Sequence, residues 1–279
     1  MSTRDTGGTA SAGQASPGFK DHFSTIAGTY AAARPGYPDA LFDALAAVVP
    51  ADARVWEPGC GSGQATRGLA ARFAQVHATD PSPQQIAQHW GNAGGQGADG
   101  DQAEAATGNL AVAVEPGERA SLSDGSVQLI AVAQALHWFD RARFFAECER
   151  VLAPGGVLAA WGYPDFLVPD AMDAPIGAFR ARIEPYWPPE REQVDARYAG
   201  YDWPFPAVDA PQLQLEACWT LPQFLQYLAS MSASARCQAA TGIDPVAEQA
   251  DALAAAWGAP ASSRVIRWPL FLHLRRKPG

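Results

Sequence analysis

Lysine is almost missing from this chain: among 279 residues only Lys20 and Lys277 carry it, and no block of basic residues stands out. With 29 acidic against 20 basic side chains the formal net charge is −9. A nucleic-acid surface needs concentrated Lys and Arg to neutralise phosphates, so the composition argues against that class of partner. Cysteine is scarce and scattered. Cys60, Cys148, Cys218 and Cys237 form no C-x-x-C unit and no histidines cluster with them, so no metal site is implied. They read as reduced thiols. No apolar run approaches the length of about 18 residues that a membrane span requires. The first residues are polar and lack the apolar stretch of a secretory signal, so a cytoplasmic protein is expected.

What the chain does have is a glycine-rich turn around which the rest is organised: Arg54-Val55-Trp56-Glu57-Pro58-Gly59-Cys60-Gly61-Ser62-Gly63. A short strand over 54–56 runs into an acid and then into three glycines spaced two apart. A helix pattern over 64–73, with Leu69 and Phe73, follows. Glycines let the backbone turn sharply and approach a bulky ligand where a Cβ would collide. The helix start behind them offers free N–H groups and a partial positive field. Strand, glycine turn and helix together mean a nucleotide-like cofactor site. A dinucleotide fingerprint would place its third glycine one residue later than Gly63, and a phosphate loop would need a lysine. Distinctive here are Glu57 before the glycines and Asp80-Pro81-Ser82 after them. Asp80 ends a second strand over 75–79, where a carboxylate is suited to accept hydrogen bonds from both ribose hydroxyls. A helix N-cap is the simpler role for it, with Ser82 as the other candidate cap.

Around this turn the pattern alternates strand and helix. A helix starts at Pro38 and ends at Pro50, with Leu41, Phe42, Leu45 and Val48 on one side. Another begins near Pro83 and includes Ile86 and Trp90. Strands follow at 110–114, 127–133 and 157–161. Between the last two lies a helix with Phe144, Phe145, Cys148, Val151 and Leu152 on its apolar face, stopped by Pro154-Gly155-Gly156. This order predicts a parallel α/β sheet with right-handed crossovers. Residues 1–18 read as a disordered lead and 91–108 as a glycine-rich surface loop. Phe23, Ile26 and Tyr30 recur at helical spacing before Arg34-Pro35-Gly36-Tyr37-Pro38 breaks the run. From 162 to 212 aromatics and prolines alternate with charges, which reads as a cap over the strand ends. A sixth strand is expected at 213–218, helices at 221–231 and 248–257, and a last strand at 265–274, antiparallel to the sixth.

At this point the sequence resembles a known family. Glu57 to Gly63 is similar to motif I of the class I S-adenosylmethionine-dependent methyltransferases. The similarity continues through Asp80, Gln134-Ala135-Leu136-His137-Trp138-Phe139 and Arg150-Val151-Leu152-Ala153-Pro154-Gly155-Gly156. With Tyr30 and the Arg34–Pro38 stretch it resembles the small-molecule branch that includes trans-aconitate methyltransferase-like proteins. The resemblance spans residues 19–161 and implies a Rossmann-like, seven-stranded, mostly parallel sheet with helices on both faces. It implies S-adenosyl-L-methionine as cofactor, an N-terminal lid over 19–38 carrying Tyr30 and Arg34, a cofactor-binding core over 39–161, the cap over 162–212, and completion of the sheet by 213–279. Glu57 would face the methionyl end, Gly59, Gly61 and Gly63 would form the cradle, and Asp80 would hold the ribose. Glu118 would pass the adenine, although the usual Ala-Glu pair here reads Gly117-Glu118. Gln134 would border the methionine moiety.

For the acceptor, His137 is of the right type for a general base or for holding a carboxylate, and equally for a hydrogen-bonded loop histidine. Trp138 suits either a wall of the acceptor site or ordinary packing. Arg180, Arg182, Arg191 and Arg197 in the cap suit a carboxylate, or a solvated face. The expected protein is a monomer or homodimer acting on a small molecule. A noncatalytic S-adenosylmethionine-binding protein is the alternative. A dinucleotide oxidoreductase is disfavoured, since no Tyr-x-x-x-Lys is present.

Overall fold

The computed structural model describes residues 34–89 and 108–279. Tyr30, most of the expected lid, Trp90 and nearly all of the glycine-rich loop lie outside them. Five strands run parallel: β1 (Arg54–Pro58), β2 (Gln75–Asp80), β3 (Leu110–Val114), β4 (Val127–Ala133) and β5 (Leu152–Gly162). Three more add antiparallel pairings: β6 (Ala207–Val208), β7 (Leu213–Trp219) and β8 (Arg264–Arg276). The spatial order is β3-β2-β1-β4-β5-β8-β6, with β7 on β8. Strand order therefore reverses between β1 and β4. A crevice opens beyond the carboxyl ends of strands at such a switch point, which is where open α/β sheets bind ligands.

Alternation along the central strands divides the core into two layers. Val55, Leu129, Ala131, Val157 and Ala159 face one layer, with Leu41, Leu45 and Leu69 of the helices α1 (Asp39–Ala46) and α2 (Thr66–Ala70). Trp56, Ile130, Val132, Leu158 and Ala160 face the other, with Phe144 and Cys148 of α4 (Arg141–Val151), which follows the short α3 (Pro83–Ala87). Both faces of the sheet are thus covered, which is why Leu129–Ala133 of β4 and Val157–Trp161 of β5 read as continuous apolar runs rather than alternating ones.

The sheet has eight strands, not the expected seven. The extra one is β6, two residues long and too short to leave a periodic signal. Pro154-Gly155-Gly156 does not stop α4, which ends earlier, at Val151. Instead these residues lie within β5, where the pairing with β4 shifts register between Val127–Leu152 and Leu129–Val157, and Gly155 takes φ +76°. The helix after the glycine turn is shorter than the expected 64–73. Between 162 and 212 lie α5 (Asp173–Ile183), α6 (Arg191–Asp195) and two short 3-10 turns. The last three helices are α7 (Leu221–Ala229), α8 (Ser232–Thr241) and α9 (Pro245–Trp257). No periodic pattern announces α8, whose small and polar residues carry little amphipathic signal; Gly242 ends it at φ +73°. β8 is 13 residues long and serves three partners, β7 with its first half and β5 and β6 with its second.

Close packing sets a limit at Gly68. A Cβ there would come 2.2 Å from two ring carbons of Phe42, so α1 and α2 meet without room for a methyl group. Gly68→Ala is therefore expected to destabilise the fold by about 1–3 kcal/mol despite its better helix propensity, read as a lower urea midpoint.

Candidate active site

The turn after β1 is held open by its neighbours' carboxylate. Asp80 accepts the Gly61 N–H through Oδ2 at 3.0 Å and the Ser82 N–H through Oδ1 at 2.8 Å, while Cys60 N–H bonds the Thr79 carbonyl at 3.0 Å. The tip of β2 is thus stapled to the turn. The cap of α3 falls to Ser82, whose hydroxyl accepts from Gln85 N–H at 3.3 Å. Gly59 takes φ +71°, and a Cβ on it would lie 2.7 Å from the Ala135 Cβ, so only glycine lets the turn meet the loop after β4. Gly61 takes φ +56°, and the nearest atom to a Cβ there is Gln85 Oε1 at 3.9 Å. That face is an open cradle.

Glu57 is fully buried just before this turn. Its Oε2 accepts from the Thr66 hydroxyl at 2.5 Å, and its Oε1 has no hydrogen-bond partner among the described residues. Burial drives its pKa up to about 8; the Thr66 bond opposes that shift and the charge of Asp80 adds to it. Burial likewise pushes the Cys60 thiol well up, consistent with small filler rather than a nucleophile.

Across the switch point, Gln134 adopts φ +52°, rare for a residue with a side chain. Its amide clasps the end of β5: Tyr163 N–H donates to Oε1 at 2.9 Å and Nε2 donates to the Tyr163 carbonyl at 3.2 Å. A short 3-10 turn, Leu136–Trp138, then presents His137 and Trp138. His137 is buried, with Nδ1 3.1 Å from the Tyr198 hydroxyl. Burial, and then the charge of Arg191, lower its pKa to about 3, so the imidazole is neutral at physiological pH. Burial also keeps the Tyr198 hydroxyl protonated. The bond thus joins a neutral ring to a neutral hydroxyl, and the ring tautomer sets which of them donates.

One crevice brings together Arg34, Gln134, His137, Trp138, Trp187 and Arg191. The Arg34 guanidinium lies 5.4 Å from the ring centroid of Tyr227, and Arg191 lies 4.4 Å from that of Trp187. Arg191 is further braced by Asp195 at 2.7 Å and by the Pro164 carbonyl. Of the cap arginines, Arg180 and Arg182 are engaged elsewhere, with Asp165 and Glu248. Glu118 lies in the segment after β3, where Gly117 packs on Phe139, the same ring that Gly59 meets. It accepts the Asp140 N–H at 2.8 Å and lines a separate open cleft with Arg119, Glu147 and Arg150. Sequence reasoning did not single out Tyr198, Trp187, Thr66 or His89. A polar residue inside an apolar helix pattern was the only available signal, and it fits Thr66 alone.

A family profile described as a methyltransferase domain matches residues 56–160. A protein of Anaeromyxobacter dehalogenans, described as a candidate type II methyltransferase, matches in structure with a TM-score of 0.77 and 40% sequence identity, covering 88% of this chain and 99% of that one. The chain belongs to the class I S-adenosylmethionine-dependent methyltransferases. A protein of Dictyostelium discoideum with a provisional methyltransferase name is 29% identical over 273 residues, 93% of this chain and 96% of that protein. An uncharacterized methyltransferase of Mycobacterium tuberculosis is 36% identical over 145 residues, which is 51% of this methyltransferase and 53% of that protein. The cofactor of the methyltransferase is S-adenosyl-L-methionine, and the residues present fit it. The open face of Gly61 leaves room for a ligand, and the orphaned Oε1 of Glu57 suits a cation.

No helix among the described residues is long and apolar enough to cross a membrane. The buried histidines give the fold a pH dependence. His137, lowered to about 3, and His89, lowered by burial to about 4, are neutral in the folded chain, whereas the unfolded chain protonates them near 6.5. Their stabilising contribution is complete above that value and drains as pH falls towards 4 and 3. Urea midpoints are expected to drop over this window, and His137→Leu to make the drop shallower.

Proposed function

We propose that this methyltransferase transfers its methyl group to a small carboxylate-bearing acceptor held in the crevice of His137, Trp138 and Arg191. The observation that carries this reading is a neutral imidazole placed in one crevice with two guanidinium groups, Arg34 and Arg191, at the switch point of the sheet. Glu57, Gly59, Gly61, Gly63 and Asp80 hold the cofactor on the other side of that point, with Asp80 taking the ribose hydroxyls. When bound, the cofactor supplies a methyl carbon made electrophilic by its sulfonium.

The chain's own residues then have three tasks. Arg191, braced by Asp195 and Trp187, offers a planar donor to a carboxylate and spends little side-chain entropy in doing so. His137 hydrogen-bonds and orients the acceptor; an imidazole that protonates only near 3 is a poor general base. Trp138, Trp187 and Tyr163 give the crevice aromatic walls that exclude water, which strengthens these polar contacts and aligns the reacting atoms. A carboxylate is already ionised and needs no proton removed. A hydroxyl acceptor would need a base, a task that the neutral, buried His137 serves poorly. The net charge of −9 supports an acceptor other than nucleic acid. In this reading 39–161 is the cofactor core, 162–212 the cap and 213–279 the completion of the sheet, in a cytoplasmic monomer or homodimer.

Two outcomes test the assignment. Asp80→Ala is expected to weaken S-adenosylmethionine binding at least tenfold, about 1.4 kcal/mol, in calorimetry; a folded variant with unchanged affinity would remove Asp80 from the ribose site. His137→Ala is expected to impair turnover while cofactor affinity is kept, and kcat/KM of the parent to show no imidazole inflection between pH 5.5 and 8. A methyl-release screen over carboxylic acids and phenols identifies the acceptor. Cofactor binding with no turnover on any of them would favour the noncatalytic alternative.

A further inference from the structure

Beneath the glycine turn lies a polar chain that contact with a ligand alone does not explain. Glu57, Thr66 and His89 are each wholly buried. The Thr66 hydroxyl bonds Glu57 Oε2 at 2.5 Å and lies 3.0 Å from His89 Nε2. A hydroxyl has one proton to give. The short 2.5 Å separation marks Glu57 Oε2 as its destination. His89 must then donate to the hydroxyl oxygen from a protonated Nε2, and burial, which lowers its pKa to about 4, keeps it in that neutral form. The chain therefore has one direction: His89 to Thr66 to Glu57.

The far end of this chain is incomplete. Oε1 of Glu57 has no hydrogen-bond partner among the described residues. An unpaired buried carboxylate is costly, so the ligand-free group takes up a proton, in line with its rise to about 8. With Thr66 already donating to Oε2, that proton belongs on Oε1. Among the described residues the groups facing Glu57 are Asp80 from β2, Cys60 from the turn, and Thr66 and His89; β4 on its other side carries no titratable side chain. None of them supplies a positive charge.

We propose that Thr66 and His89 are positioning residues that hold Glu57 as the receptor for the cationic amino-acid end of the cofactor, and that binding expels the Glu57 proton into bulk solvent. The carboxyl O–H bond breaks, its electron pair stays on Oε1, and the charge left there is neutralised by the incoming cation. The inference rests on the reading that the cofactor lies at the glycine turn.

Calorimetric titration of the full-length protein with S-adenosylmethionine and with S-adenosylhomocysteine, at pH 7 in buffers of different ionisation enthalpy, counts the protons released. The wild type is expected to release about 0.9 proton per bound S-adenosylmethionine, and Glu57→Gln none. Release with both ligands assigns the ammonium as the partner cation, and release with S-adenosylmethionine alone assigns the sulfonium; either supports the proposal. Thr66→Val and His89→Leu are expected to lose at least fivefold in affinity. Thr66→Ser, which keeps the hydroxyl, and His89→Gln, which keeps an N–H donor, are expected to restore most of it, a rescue that a purely packing role would not produce. Tight binding without buffer dependence in the wild type would overturn the proposal and leave the cofactor site standing. So would undiminished release from Glu57→Gln, or wild-type affinity in folded Thr66→Val and His89→Leu proteins. Absence of any binding by the wild type would overturn the cofactor reading and this inference together.

Discussion

The carboxylate of Asp80 is the constraint on which the rest of this structure depends. It takes the N–H of Gly61 on one oxygen and that of Ser82 on the other. Two segments that leave the sheet in different directions, the turn after β1 and the start of α3, are thereby fixed to one side chain at the tip of β2. The turn itself has few other ways to hold its shape, because its glycines carry no side chains to pack. What it has are backbone bonds, Cys60 to Thr79 and Gly63 to Cys60, and the close approach of Gly59 to Ala135. Backbone geometry that permits a ligand's approach also needs outside support, and the Asp80 carboxylate provides it.

The opposite wall of the switch point is built on a similar principle. Gln134 accepts a left-handed backbone, an unfavourable conformation, because its amide makes both bonds to the Tyr163 backbone. Gly162 is matched to it, since a Cβ there would lie 2.4 Å from Gln134 Oε1. The clasp joins the ends of β4 and β5 and so sets where His137 and Trp138 emerge. From there an aromatic layer takes over. Tyr198 bonds His137, stacks 5.0 Å from Tyr201 and meets Phe271 of β8 edge-on. The segment after β5 is thereby attached to the last strand as well as to the site, and the crevice is rigid on that side. On the other side, Arg34 over Tyr227 and Tyr37 edge-on to Trp161 anchor the start of the described chain.

Two buried ionisable groups on either side of the switch point are shifted in opposite senses. Glu57 is pushed to hold a proton, and His137 is pushed to refuse one. Burial is the leading cause of both shifts, because it disfavours whichever form is charged. The consequence is that neither Glu57 nor His137 carries a charge in the ligand-free site, so that charges arriving with ligands weigh more in the local field.

How much of this could be read beforehand depends on how far apart in the chain the causes lie. The glycine turn, the acid at the tip of β2, and strands β3 and β4 at their observed bounds were legible, because turn chemistry and apolar runs are properties of adjacent residues. The end of α4 was misplaced because Pro154 and Gly155 serve a register shift in β5, a matter of pairing with β4 rather than of local propensity. β6 was missed because two residues have no period.

The sequence by itself determined the strand–turn–helix unit, the alternation that makes a parallel sheet, and the identity of Glu57 and Asp80 as the acids beside the turn. Only the tertiary structure decided the partners: His89 for Thr66 across 23 positions, Tyr198 for His137 across 61, and a neutral rather than basic histidine at the crevice. The physical reason is that burial and hydrogen-bond partnership are set by which segments the folded sheet brings together, and no spacing along the chain encodes that distance.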